Sequence, residues 1–220
     1  MTEPSGGSTD KPRRPVVVPA VALVAVTAIG ITALLGGLEE RPDPAPPQLK
    51  PGQVLDQGQF DTQVIESKIT LQPAENEFAE DKRYLDVVFK VTNKTDETIH
   101  VGGLPRDKSG GFSFGSTLLR MNPEIKSKWG GQLFVLSKGV ESSQLHPGIP
   151  ATVVARYELP GTTPPPKQVS YDIGKFELLH NGLTDTSEWF LESEPTDVLE
   201  DKQEDKVVAK ITLPVRTQGA

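Results

Sequence analysis

The 220-residue chain contains no cysteine. That excludes disulfides, thiol nucleophiles, zinc sites built on cysteine and lipidation of a cysteine. Bases are outnumbered, 23 against 30 acids, which leaves a formal net charge of −7. A generally basic nucleic-acid binder is thereby excluded, because affinity for phosphate needs Lys and Arg; no nucleic-acid partner is expected. Glycine and proline, 20 residues each, follow no fixed period, so collagen is excluded and a turn-rich chain remains. The length suits an anchor plus one domain and not two large domains.

The N-terminal third reads as an address and a tether. Residues 1–14 are polar and aperiodic, a disordered tail. Residues 15–38 read as a transmembrane helix. Val16 to Leu38 is a run of 23 residues without a charge, and a helix of that length spans about 35 Å, enough for a hydrocarbon core. Lys11, Arg13 and Arg14 precede the run, while Glu39 and Glu40 follow it with Arg41 opposing them. The positive-inside rule then keeps the N-terminus cytoplasmic and exports the rest. The competing reading is a cleaved signal, whose apolar region is ordinarily shorter. Residues 39–52 read as a linker, in which Pro42, Pro44, Pro46, Pro47 and Pro51 favour polyproline II. Its proline-rich stretch makes a stiff spacer of about 35 Å. A proline-rich ligand for an SH3-like partner is the alternative for this stretch.

Residues 53–217 read as one all-β domain, an antiparallel β-sandwich. Leu85, Val87, Phe89 and Val91 alternate with Asp86, Lys90 and Thr92, the period of a half-buried strand. Ile65, Ser67, Ile69 and Leu71 repeat the pattern, as do Val153, Ala155, Tyr157 and Leu159. So do Val207, Ala209, Ile211, Leu213 and Val215, where Pro214 predicts an edge strand or a strand end. The phase changes between Ile173 and Phe176, which predicts a β-bulge at Gly174. With Leu118–Met121 and Leu133–Leu136 the expected total is about eight or nine strands, a sandwich's complement.

Leu85 to Val101, LDVVFKVTNKTDETIHV, runs a strand into Asn93-Lys94-Thr95-Asp96 and back. This segment resembles the Asn-containing hairpin of uncharacterised bacterial immunoglobulin-like extracytoplasmic domains, often mislabelled after a telomere-repeat-binding factor. Gln59–Leu71 is similar to their opening strand, and Leu145–Pro160 to a later Pro-Gly turn and strand. The resemblance covers roughly residues 53–160. It implies an immunoglobulin-like fold and an extracytoplasmic location on a lipoprotein or single-pass protein, and no known activity. This chain departs from the lipoprotein members in having no lipidation cysteine.

Chemistry is sparsely signalled. Gly111-Phe112-Ser113-Phe114-Gly115 fits the G-x-S-x-G pattern of a serine hydrolase, with Asp172 and His180 following in the required order. The flanking residues do not read as strand-to-helix context, so no catalytic residue is assigned. His100, His146 and His180 match no local metal motif, and no metal or cofactor is expected. Gly102–Gly131 carries a local charge of +3 and seven glycines, whereas Glu177–Asp205 carries −9. In the basic stretch, Phe112, Phe114 and Trp129 with Arg106, Lys108 and Arg120 are the candidate partner-binding residues. The plainer alternative is that the three aromatics fill the end of the sandwich, since a chain poor in aromatics spends them on its core. The acidic stretch around 185–205 reads as a solvated loop or a weak calcium site. Asn93-Lys94-Thr95 matches a glycosylation acceptor, though a turn already explains the asparagine.

The expected protein is a non-catalytic binding or scaffolding module of the bacterial cell envelope. It sits in the bilayer through residues 16–38 and meets an envelope or membrane protein. The alternative is an extracytoplasmic small-ligand or calcium sensor, or an accessory subunit of a membrane transport system.

Overall fold

A computed structural model describes residues 44–74, 76–104, 112–125, 130–161, 163–197 and 202–217. The expected tail 1–14 and span 15–38 lie outside the described residues, as do Arg106, Lys108 and Trp129. Among the described residues no helix is long and apolar enough to cross a membrane. The chain divides after Ala45, and the described residues of the unit from Pro46 onward are all β apart from one 3-10 turn, Phe114–Thr117.

Its strands begin with β1 (Gln48–Leu49), β2 (Val54–Asp56), β3 (Phe60–Gln72), β4 (Lys82–Asn93) and β5 (Ile99–His100). Then come β6 (Leu118–Asn122), β7 (Gly131–Ser137), β8 (Val140–Ser142), β9 (Gln144–Leu145), β10 (Pro150–Leu159) and β11 (Gln168–Ile173). The last are β12 (Phe176–Asn181), β13 (Thr186–Leu191), β14 (Ser193–Asp197), β15 (Lys202–Asp205) and β16 (Ala209–Thr217).

Two ladders face each other as a β-sandwich. The first runs β1-β16-β11-β6, with β1 parallel to β16 and the rest antiparallel. The second runs β3-β4-β10-β7-β8, all antiparallel, with β2 on the margin of β3. Strand β16 belongs to both: Ala209–Pro214 pair with β11, and Val215–Thr217 pair in parallel with β3. Pro214 sits where the strand changes ladders. It has no amide to donate, and its carbonyl accepts the Ser67 hydroxyl at 3.0 Å. The proline therefore marks a crossing in an interior strand, and the expected edge or end is corrected.

The inner faces carry the alternating residues. Leu85, Val87, Phe89 and Val91 of β4 are wholly buried and lie opposite Tyr157, Ala155, Val153 and Ala151 of β10. Val169, Tyr171 and Ile173 of β11 meet Leu213, Ile211 and Ala209 of β16. Rings knit the layers edge to face: Phe89 stands 5.8 Å from Tyr171 and 5.8 Å from Phe114, and Phe60 stands 5.7 Å from Phe114 and 6.1 Å from Phe176. Each such side chain contributes about 1.5–3 kcal/mol by leaving water. The Tyr171 hydroxyl donates to the Tyr157 hydroxyl at 2.8 Å, a polar link between the sheets.

Three local readings change. A bulge between Val64 and Glu66 leaves Ile65 outside the register and exposed, and Leu71 is exposed as well; Phe60, Thr62 and Val64 are the buried residues before it. The phase change near Gly174 is a passage between strands. Strand β11 ends at Ile173 and β12 starts a separate hairpin, while a register shift falls one step earlier, at Asp172/Ile173 against β6. Gln48 and Leu49, inside the expected linker 39–52, pair with Lys210 and Ile211, and Leu49 joins the core.

The back of the second sheet has a small covered cluster. Arg156 donates Nε to Asp86 Oδ1 at 2.8 Å and a terminal nitrogen to Oδ2 at 2.9 Å. Its guanidinium lies 5.1 Å from the Tyr84 ring centre and 5.0 Å from that of Phe134. Thr70 donates to the same carboxylate at 2.9 Å. The bond to Asp86 holds the Arg156 proton more tightly than usual.

Candidate partner-binding surface

Between β11 and β16 the chain makes two hairpins, β12–β13 and β14–β15. The root of the first is fixed in the core. Phe176 is fully buried and its amide donates to the Gln57 carbonyl at 3.0 Å. Gly58 makes this approach possible: its φ is +73°, and a Cβ there would strike the Phe176 carbonyl and come within 3.1 Å of the Trp189 ring. Gln57 and Gly174 close the other side, the Gln57 amide donating to the Gly174 carbonyl at 2.7 Å.

Away from that root the hairpin turns apolar and open. Leu178, Leu179 and Phe190 are exposed, and Leu183 in the turn is 99% exposed. Strand pairing sets Glu177 opposite Phe190 and Leu179 opposite Glu188, so one face alternates apolar and acidic side chains. No Lys or Arg occurs between 176 and 191. Phe112 packs its ring on Phe190 from outside the hairpin, 6.3 Å between centres and 74° between planes, and stays 66% exposed. The arrangement is an aromatic pair with Leu179, edged by Glu177 and Glu188, while Leu178 lies opposite Trp189 on the other face. At the foot of the second hairpin Lys206 bonds Glu192 at 2.8 Å, which raises the lysine pKa.

The other two expected contact residues that are described, Phe114 and Arg120, are placed differently. Phe114 begins the 3-10 turn and is wholly buried between Phe60 and Phe89, so it has no surface to offer a partner; as a contact residue it is corrected to core. Arg120 is exposed on β6, opposite Asp172. Of the three candidates among the described residues, Phe112 alone joins the hairpin face. The sequence reading missed Phe190 and Leu179 on that face and Leu183 in the turn, although an Asn-Gly step between two apolar stretches is a hairpin signal.

Each residue of the hydrolase pattern has a partner outside the pattern. Ser113 Oγ lies 3.4 Å from Ser116 Oγ, Asp172 pairs with Lys210 at 3.3 Å, and His180 contacts Ser187 at 3.2 Å and Asp185 at 3.6 Å. Among the described residues no three His, Asp or Glu side chains converge as a metal site. Asn93 is fully buried. Its Nδ2 donates to the Glu97 and Leu145 carbonyls at 2.7 and 3.0 Å, and its Oδ1 accepts from Thr95 N and Oγ1, so turn formation uses the whole side chain.

No protein-family model matches the chain, and no curated protein does. A solved structure to which it is similar is that of an uncharacterised β-sandwich protein from Clostridium difficile 630. The identity is 12%, the match covers 60% of this chain and 91% of that one, and the TM-score is 0.38. That likeness transfers no site and no activity.

Proposed function

We propose that this chain is a non-catalytic binding module of the bacterial cell envelope. A helix over residues 16–38 holds it in the membrane with its N-terminus cytoplasmic, and an immunoglobulin-like sandwich stands on the outer side. The uncharged run at 16–38 and its flanking charges support the anchor. Two ladders around one core and the Asn93 hairpin support the immunoglobulin-like reading. The partner is another membrane or envelope protein.

The observation that carries the binding role is the exposed Phe112–Phe190 pair. Phe60, Phe89, Phe114 and Phe176 are spent on the core, whereas these two rings meet edge to face in the open on an acid-edged hairpin. Aromatic anchors of this kind dominate protein interfaces.

The test is site-specific photocrosslinking from position 179 in intact cells, comparing the otherwise unchanged chain with a Phe112→Ser/Phe190→Ser variant that carries its crosslinker at the same position. A discrete crosslinked neighbour is expected from the first and lost from the second, with the melting temperature nearly unchanged. Identical crosslinks from both chains would sink the proposed face. A C-terminal reporter active only in the cytosol would sink the topology.

A further inference from the structure

Asparagine occurs four times, at 76, 93, 122 and 181. Three of these are chemically quiet. Asn93 is buried and fully hydrogen-bonded. Asn122 precedes Pro123, whose ring nitrogen has no proton to lose. Asn76 precedes Glu77, whose side chain crowds the following amide.

Asn181 differs in its successor, a glycine; Asn76 is likewise exposed and its Oδ1 accepts from the Phe78 amide at 3.0 Å, but Glu77 follows it. It ends β12, and Gly182 opens the four-residue turn that leads to Thr186 of β13. Asn181, Gly182 and the rest of the turn are exposed. The Leu183 amide donates to Asn181 Oδ1 at 3.0 Å, a donor already aimed at the oxygen of the side-chain carbonyl. Among the described residues nothing hydrogen-bonds the Gly182 N–H. A Cβ built on Gly182 meets no atom within 4 Å, so the approach to its nitrogen is open.

We infer that Asn181-Gly182 is a self-modification site, at which the hairpin converts its own asparagine to aspartate or isoaspartate. The Gly182 nitrogen gives its proton to solvent base and attacks Asn181 Cγ, forming a C–N bond. The charge that develops on Oδ1 is met by the Leu183 N–H, the donor geometry that stabilises an oxyanion. The Cγ–Nδ2 bond then breaks and ammonia leaves with a proton taken from solvent, giving a succinimide. Water adds to one of its two carbonyls and opens the ring. One route leaves aspartate and the other leaves isoaspartate, with an extra methylene in the main chain. Either adds one negative charge to the turn beside Asp185. This inference is independent of any partner.

The experiment ages the purified full-length chain at neutral and at mildly alkaline pH. Intact mass, peptide mapping and labelling by an isoaspartyl methyltransferase follow the products. The expected result is one exchange of NH2 for OH, mapped to Asn181, faster at the alkaline pH. Gly182→Ala should slow it several-fold with an unchanged circular dichroism spectrum, since the added methyl meets open space but shields the attacking nitrogen. Asn181→Ser should remove it. The inference is overturned if the folded chain keeps Asn181 intact, if Asn76 reacts as fast, or if Gly182→Ala reacts at the parent rate.

Discussion

The two buried tyrosines make alkaline pH a specific probe of this core. Burial pushes the Tyr157 phenol up to about 12 from an ordinary value of 10.0, against a smaller opposing effect of its bond to Tyr171. Burial also holds the Tyr171 phenol well above its ordinary value, with the neighbouring Tyr157 adding to the rise. A group whose folded-state pKa is raised lends stability that is whole below the unfolded value and lost as pH climbs through the folded one. Between pH 10 and 12 the unfolded chain sheds its tyrosine protons ahead of the folded chain. A phenol ionised only in the unfolded chain costs about 1.4 kcal/mol per pH unit, and with partial ionisation at both ends Tyr157 alone removes about 2 kcal/mol over that window. Tyr171, raised by the same burial, adds a loss of the same sign.

Urea melts followed by circular dichroism from pH 8 to 12 should show this loss in the parent chain. A Tyr157→Phe/Tyr171→Phe variant should lose far less over the same range. At neutral pH that double variant should stay within about 1 kcal/mol of the parent, because both partners of the 2.8 Å bond vanish together. Tyr157→Phe alone should cost about 1–3 kcal/mol, since it strands the Tyr171 donor in the core. The reasoning fails if the double variant declines as steeply as the parent above pH 10.

Two further outcomes follow from packing. Asp86→Ala should destabilise the domain by about 3 kcal/mol, because it leaves the Arg156 guanidinium half-buried without its bidentate partner; pairing Asp86→Leu with Arg156→Met should restore most of the loss in a thermal melt. Gly58→Ala should lower the melting temperature and shift Trp189 fluorescence, because the new methyl collides with the Phe176 carbonyl and the left-handed backbone at 58 resists a side chain.

Strands β4 and β10 were readable from their residues because each has one face in the core, so burial and alternation coincide. The pattern misled where the backbone departs from period two. At Ile65 one extra residue flips the phase, which no local composition reveals. Phe112 and Phe114 are two apart and would share a side of a strand. The 3-10 turn that starts at Phe114 sends one ring into the core and leaves the other outside. Pro214 was read correctly as a residue that cannot donate, but the consequence depends on a partner strand about 150 residues away, Ser67–Ile69. The hairpin face was overshadowed by its own acids, whose density suggested a solvated loop. Its contact with Phe112 is purely tertiary.

A strand that serves two sheets also sets when the molecule can close. Until residues 209–217 arrive, β3 and β11 each keep an open margin, and the hydrophobic faces they border have no lock between them. Unsealed margins of this kind recruit foreign strands. The pairings that seal them are distant in sequence and therefore slow. A chain threaded outward across a membrane would spend that interval half-assembled, with its most vulnerable borders facing whatever waits at the exit.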